Sequence, residues 1–283
     1  MKRVVVCLSL LSCALIGPAV VAEEGSVPTD LIAEADEAFD RWSQPFEFDA
    51  YQERLQTAID LWEQALELLP SDETELLAHV LNHLAEAYFE LAEAYLLEPS
   101  ERETAYGRGK DHALASLRLD PRFDEVEAAD GFRAALRSAS DVAAIFWYGN
   151  TLGVWLNYHQ VTAILGGVLD VLASYERAID LDETYFGGAP QRSMAALVAQ
   201  AHFVIGKRQD ECVSHYERAI EIDPWYLESY VNYAQHYTRP KRNAELTAEL
   251  LDTALTLALD PEVMAAWPLY NELAVRRART LAR

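Results

Sequence analysis

Apolar residues recur along this chain in steps of three and four. Ala58, Ile59, Leu61, Trp62, Ala65, Leu66 and Leu69 make one such series, closed by Pro70. Leu77, Val80, Leu81, Leu84, Ala85, Tyr88, Leu91, Ala92 and Tyr95 make the next, which runs out before Pro99. With about 3.6 residues per turn, this spacing gathers each series into one apolar stripe along a helix. Almost nothing alternates with the period of two that a half-buried strand needs, and Gly and Pro are sparse at 12 and 11. The pattern predicts an all-α chain.

One helix ending recurs. Ala65-Leu-Glu-Leu-Leu-Pro70, Ser116-Leu-Arg-Leu-Asp-Pro121, Ala178-Ile-Asp-Leu-Asp-Glu183, Ala219-Ile-Glu-Ile-Asp-Pro224 and Thr256-Leu-Ala-Leu-Asp-Pro261 are versions of it. In each, an amphipathic helix runs out, usually into an Asp that caps the next helix and a Pro that suits its first turn. Such endings mark the second helix of tetratricopeptide (TPR) units, whose period is about 34 residues. Here the intervals are 51, 62, 41 and 37 residues, so the expectation is a degenerate TPR-like superhelix with longer helices or inserts in its first half. Each helix pair would bury its apolar face on its neighbours and leave a concave surface. The match between Tyr175-Glu-Arg-Ala-Ile-Asp-Leu-Asp-Glu-Thr-Tyr185 and Tyr216-Glu-Arg-Ala-Ile-Glu-Ile-Asp-Pro-Trp-Tyr226 favours a repeat over a generic bundle.

The first residues carry an address. Lys2 and Arg3 precede the apolar run 4–16, then Gly17-Pro18, then small residues before Glu23. That order predicts a secretory signal peptide over residues 1–22 and one domain over residues 23–283. Leu10-Leu-Ser-Cys13 offers a lipobox as the alternative, with lipidation at Cys13. Cleavage after Ala22 would leave Cys212 as the single thiol, hence no intramolecular disulfide, and a small core residue at that position. No later apolar run is long enough to span a bilayer, so the exported body is expected to be soluble.

Charge narrows the partners. There are 46 Asp+Glu against 23 Lys+Arg, a net −23, which excludes nucleic acid and disfavours anionic lipid. Residues 23–103 hold 22 acidic and only 3 basic residues. A composition of 51% hydrophobic and 10% aromatic residues, with a mean hydropathy of −0.08, belongs to a folded body.

Catalytic signatures are lacking. His79 and His83 share a helix face at the spacing of a zinc pair, but no third ligand is assignable and no glutamate sits between them as in metalloproteases. Cys212 and His215 lack an orienting partner. Neither enzyme activity nor a cofactor or metal is expected. Two aromatic clusters stand out instead. Phe146-Trp147-Tyr148-Gly149-Asn150 continues to Gly153 and Trp155, with Gly149 and Gly153 permitting a close approach by a helix or a ligand. Tyr185-Phe186-Gly187-Gly188-Ala-Pro190-Gln191-Arg192 sits at a helix junction, where the glycines accept positive φ and Arg192 has the donors for a bidentate carboxylate contact. These clusters are packing and turn chemistry, or they are an apolar pocket that holds an organic acid by one arginine. The second reading makes Phe146, Trp147, Tyr148, Asn150, Trp155, Tyr185, Phe186 and Arg192 candidate ligand-binding residues.

In these stretches the sequence resembles the TPR-containing T component of tripartite ATP-independent periplasmic (TRAP) transporters. The resemblance rests on Tyr106-Gly-Arg-Gly-Lys-Asp-His-Ala-Leu114, Asp141-Val-Ala-Ala-Ile-Phe-Trp-Tyr-Gly149, the 185–192 cluster, and His215-Tyr-Glu-Arg-Ala-Ile220 with Val231-Asn-Tyr-Ala234. Gln191 stands where the family usually has His, and Ile205-Gly206-Lys207 lacks one glycine of a customary pair. The resemblance implies a periplasmic or lipid-anchored homotrimer with a cleft or pore in each subunit. It implies partnership with the extracytoplasmic substrate-binding subunit of a TRAP transporter, and a small hydrophobic or organic-acid ligand held or passed without catalysis. A generic periplasmic TPR adaptor, with the acidic first third as its protein-binding face, is the alternative.

Overall fold

A computed structural model describes residues 27–43 and 45–283. The expected export segment, residues 1–22, and Cys13 lie outside the described residues. Within them the chain is helical and holds no strand. The helices in order are α1 (Val27–Phe39), α2 (Phe48–Leu68), α3 (Thr74–Ala94), α4 (Pro99–Leu117), α5 (Pro121–Asp130), α6 (Phe132–Ser138) and α7 (Val142–Trp155). There follow α8 (Gln160–Thr162), α9 (Val168–Asp182), α10 (Tyr185–Ile205), α11 (Cys212–Ile222), α12 (Glu228–Tyr233), α13 (Ala244–Leu257), α14 (Pro261–Ala266) and α15 (Pro268–Leu281). Wider π turns at Ala163–Gly167 and Ala234–Thr238 interrupt the regular helices.

The recurring Asp does one job at four helix junctions. Asp120, Asp182, Asp223 and Asp260 each accept the backbone N–H two residues on, at 2.9 Å. Before α5 and α14 this is an N-cap followed by Pro in the first turn. At Asp223 it forms a turn instead, and α12 begins only at Glu228. The repeated Tyr-Glu-Arg-Ala phrase buries Tyr175, Ala178, Tyr216 and Ala219, since positions three apart share the inward face of α9 and of α11.

Contacts run in two sets. Sequence neighbours pair (α1 with α2, α3 with α4, α10 with α11, α12 with α13), and α7 pairs with α9. A second set joins alternate helices, α3 to α7, α7 to α10, α10 to α12 and α12 to α15. The end of this inner row returns to the start of the chain. Trp42 Nε1 donates to Ala266 O at 2.9 Å, Trp42 and Trp267 meet edge to face, and Arg276 lies 3.7 Å over the Phe48 ring. Arg41, buried at this seam, pairs with Glu86 at 2.5 Å and Glu90 at 3.3 Å. Two apolar clusters fill the interior, one from α1–α4 with Tyr226, Leu269 and Tyr270, the other running from Ala85 in α3 and α4 through to α15, and both reach Phe89, Trp155 and Phe186.

Candidate functional site

The inner row α3, α7, α10, α12 and α15 surrounds a cavity of about 640 Å³, inside the roughly 300–1,000 Å³ range of small-molecule sites. Its deep end is aromatic. Phe146, Trp147, Tyr226 and Tyr270 are all buried there, with Phe186 among them. Val154, Val171 and Leu197 continue the wall toward a rim where Gln200 is exposed.

Helix α7 carries apolar residues on all sides because it is packed on several faces, by α3, α4, α9 and α10. Asp141 caps it, accepting from Ala144 N at 3.1 Å. Gly149 is required for the approach of α9. A Cβ there would stand 2.7 Å from Ser174 Cβ, so this glycine serves a helix contact.

Phe186 owes its position to a left-handed turn. Phe186, Gly187 and Gly188 have φ of 49°, 62° and 74° before Pro190 starts the regular part of α10. For Phe186 this is strained, at roughly 1–2 kcal/mol. The ring is repaid with contacts to Trp147, Trp267 and Tyr270 at 5.4, 5.0 and 5.3 Å between centroids. Gly187 has no alternative, because a Cβ would lie 2.8 Å from Trp267 and 2.9 Å from Tyr226.

Arg192, one turn into α10, is 6% exposed. Its Cζ sits 3.7 Å from the centroid of the Tyr226 ring. Its Nη1 donates long hydrogen bonds to Gly187 O at 3.3 Å and Ser229 Oγ at 3.5 Å. No carboxylate among the described residues pairs with it. The other two arginines on the cavity are neutralised by carboxylates. Glu93 Oε1 accepts from Arg102 Nη2 at 3.2 Å and from Tyr106 Oη at 2.5 Å. Arg277 reaches Glu93 Oε2 at 3.5 Å, Glu228 Oε1 at 3.2 Å and Asn232 Oδ1 at 3.1 Å. Beside them, burial and then the neighbouring Arg277 charge push the His236 imidazole down to about 4.

Of the candidates, Phe146, Trp147, Asn150, Phe186 and Arg192 line this cavity. Three sit behind or beside the wall. Tyr185 Oη accepts from Trp147 Nε1 at 3.1 Å and so holds that indole. Tyr148 packs on Phe132, and Trp155 stacks on His159 with Lys110 across its ring. Gln191 bridges His215 and Glu183. Sequence reasoning missed Glu93, Arg102, Glu228, Asn232, His236, Tyr270 and Arg277, which tertiary folding brings together from four helices and a π turn. Tyr226 carried a signal as the last residue of the repeated phrase, and Asn232 lay within a stretch of the resemblance.

The histidine and cysteine pairs have structural partners. His79 Nε2 lies 2.9 Å from Asp36 Oδ2, and His83 Nδ1 bonds the His79 carbonyl at 2.8 Å. Among the described residues no group of three or more His, Cys, Asp or Glu is placed to hold a metal ion. Cys212 is fully buried, and burial pushes its thiol up to about 12.

The fold and site together define an all-helical protein with an interior, ligand-sized chamber. A family model described as TRAP transporter T-component matches residues 78–283, and the chain belongs to that family. It is thus an accessory component of a TRAP transporter. A comparison with curated proteins found no match.

Proposed function

We propose that the protein is an extracytoplasmic, homotrimeric T component that holds or passes a small hydrophobic or organic-acid ligand beside the substrate-binding subunit. Residues 1–22 would export it and residues 23–283 would form one domain. The paired helices and the inner row fit a degenerate TPR stack whose concave face has become the chamber wall. The observation that carries the reading is the buried, uncompensated Arg192 on a chamber lined by aromatic rings. An unpaired buried cation is costly, and an organic anion would offset that cost. Docking is supported at the rim. Val161, Ile164, Leu165 and Phe203 are 72–81% exposed and lie beside the lining residues Ala163 and Ala201, an apolar margin suited to another protein. No helix among the described residues is long and apolar enough to cross a membrane. Native mass spectrometry of protein isolated from its own envelope tests the reading. A trimer with a bound small-molecule mass is expected, whereas a bare monomer would move the assignment to a protein-binding adaptor.

A further inference from the structure

We infer that the chamber selects singly charged carboxylates, bound head first with the carboxylate on Arg192, and rejects a second anionic group through the lining carboxylates Glu93 and Glu228. This rests on the ligand-holding reading and adds a charge count, an orientation and two specificity residues to it.

The charge count follows from the ion pairs. Three arginines and two glutamates face the chamber. Arg102 and Arg277 share Glu93, and Arg277 also meets Glu228, so that end is already neutral. Arg192 is the cation left over among the lining residues, which sets the matching ligand charge at one. The direction follows from burial. Arg192 is 6% exposed, whereas the Arg102 and Arg277 side chains retain 31% and 28% of their accessibility. Polar partners also gather at the deep end, where Ser229 Oγ touches Arg192 and Ser193 Oγ meets Asn150 Oδ1 at 3.4 Å. Val154, Val171, Leu197 and Leu273 add an aliphatic lining to the chamber. A ligand with one charged end and an apolar body matches this lining. A dicarboxylate would bring its second charge against Glu93 and Glu228, whose compensating arginines are engaged, and like charges at short range repel strongly away from bulk water.

Calorimetric titration of the purified protein with three probes of one chain length tests the inference. Octanoate has one carboxylate, suberate has two, and 1-octanol has none. Octanoate is expected to bind roughly ten- to a hundredfold tighter than 1-octanol, the range of a charge-assisted hydrogen-bonded contact. Suberate is expected to bind at least tenfold more weakly than octanoate. Arg192→Met should lose the octanoate advantage over 1-octanol, with the variant's circular dichroism reporting that its helices are intact. Glu93→Gln with Glu228→Gln should admit suberate. Equal affinity for octanoate and 1-octanol would overturn the head-first carboxylate and leave an apolar chamber standing. Suberate as tight as octanoate would overturn the exclusion by Glu93 and Glu228. Binding of none of the three would sink both this inference and the ligand-holding reading. Should Arg192→Met fail to fold, the ranking of the three probes on the unaltered protein decides.

Discussion

The seam residue Arg41 sits between two carboxylates, and the excess charge is resolved at Glu90. Burial pushes the Glu90 carboxyl up to about 7 against the pull of Arg41, with Glu86 adding to the rise. Tyr51 Oη donates to it at 3.0 Å. An unfolded glutamate releases its proton near 4.5, so between those values the folded chain binds the extra proton. Raising the pH through this window therefore costs stability, by about 3 kcal/mol at most. Wild type should lose stability relative to Glu90→Gln between pH 5 and pH 8 in urea denaturation. His236, whose lowered value acts in the opposite sense, cancels in that difference. Parallel profiles for the two proteins would show that Glu90 does not titrate in this window.

At the scale of elements, the left-handed opening of α10 joins sequence to site most directly. Its glycines were legible as a positive-φ junction, because few other residues accept that conformation. The identity of the ring it delivers into the chamber was legible too, since Phe186 belongs to the same cluster. The consequence of filling Gly187 follows from the geometry. Gly187→Ala would strain the backbone and drive a methyl into Trp267 and Tyr226, costing about 2–4 kcal/mol. Chemical denaturation should record that loss, and ligand affinity should fall with it; an unshifted midpoint would mean the aromatic floor gives way freely. The two π turns were not legible. The extra residue per turn that places Ala163 and His236 on the chamber depends on packing that local periodicity does not encode.

For the whole molecule, helix type and helix endings were read correctly because they depend on near neighbours. The closing of the array was not, because Trp42 meets Ala266 and Glu93 meets Arg277 across gaps of 224 and 184 residues. The same gap explains the half-legible site. Aromatic residues clustered in sequence pointed to α7 and α10, while the charged end drew single residues from distant helices. Net charge is a property of this scale as well. With −23 overall and most of the excess before residue 104, self-repulsion outweighs the few ion pairs that salt would weaken there. The melting temperature should rise by several degrees between about 0.05 and 0.5 M NaCl, as scanning calorimetry would record. A flat or falling curve would mean that local pairing balances the acidic third.

An open superhelix behaves as a spring, which can lengthen or tighten its pitch with every hinge sharing the strain. Here the last helices are fastened to residues near the start of the described chain, and a row of helices so joined is a hoop rather than a spring. If the chamber holds the proposed ligand, that guest would have two routes. A guest can pass the rim, or the Arg41–Trp42 clasp can let go of α14 and α15. A partner that prised that clasp would change the residence time of the guest without touching the chamber at all.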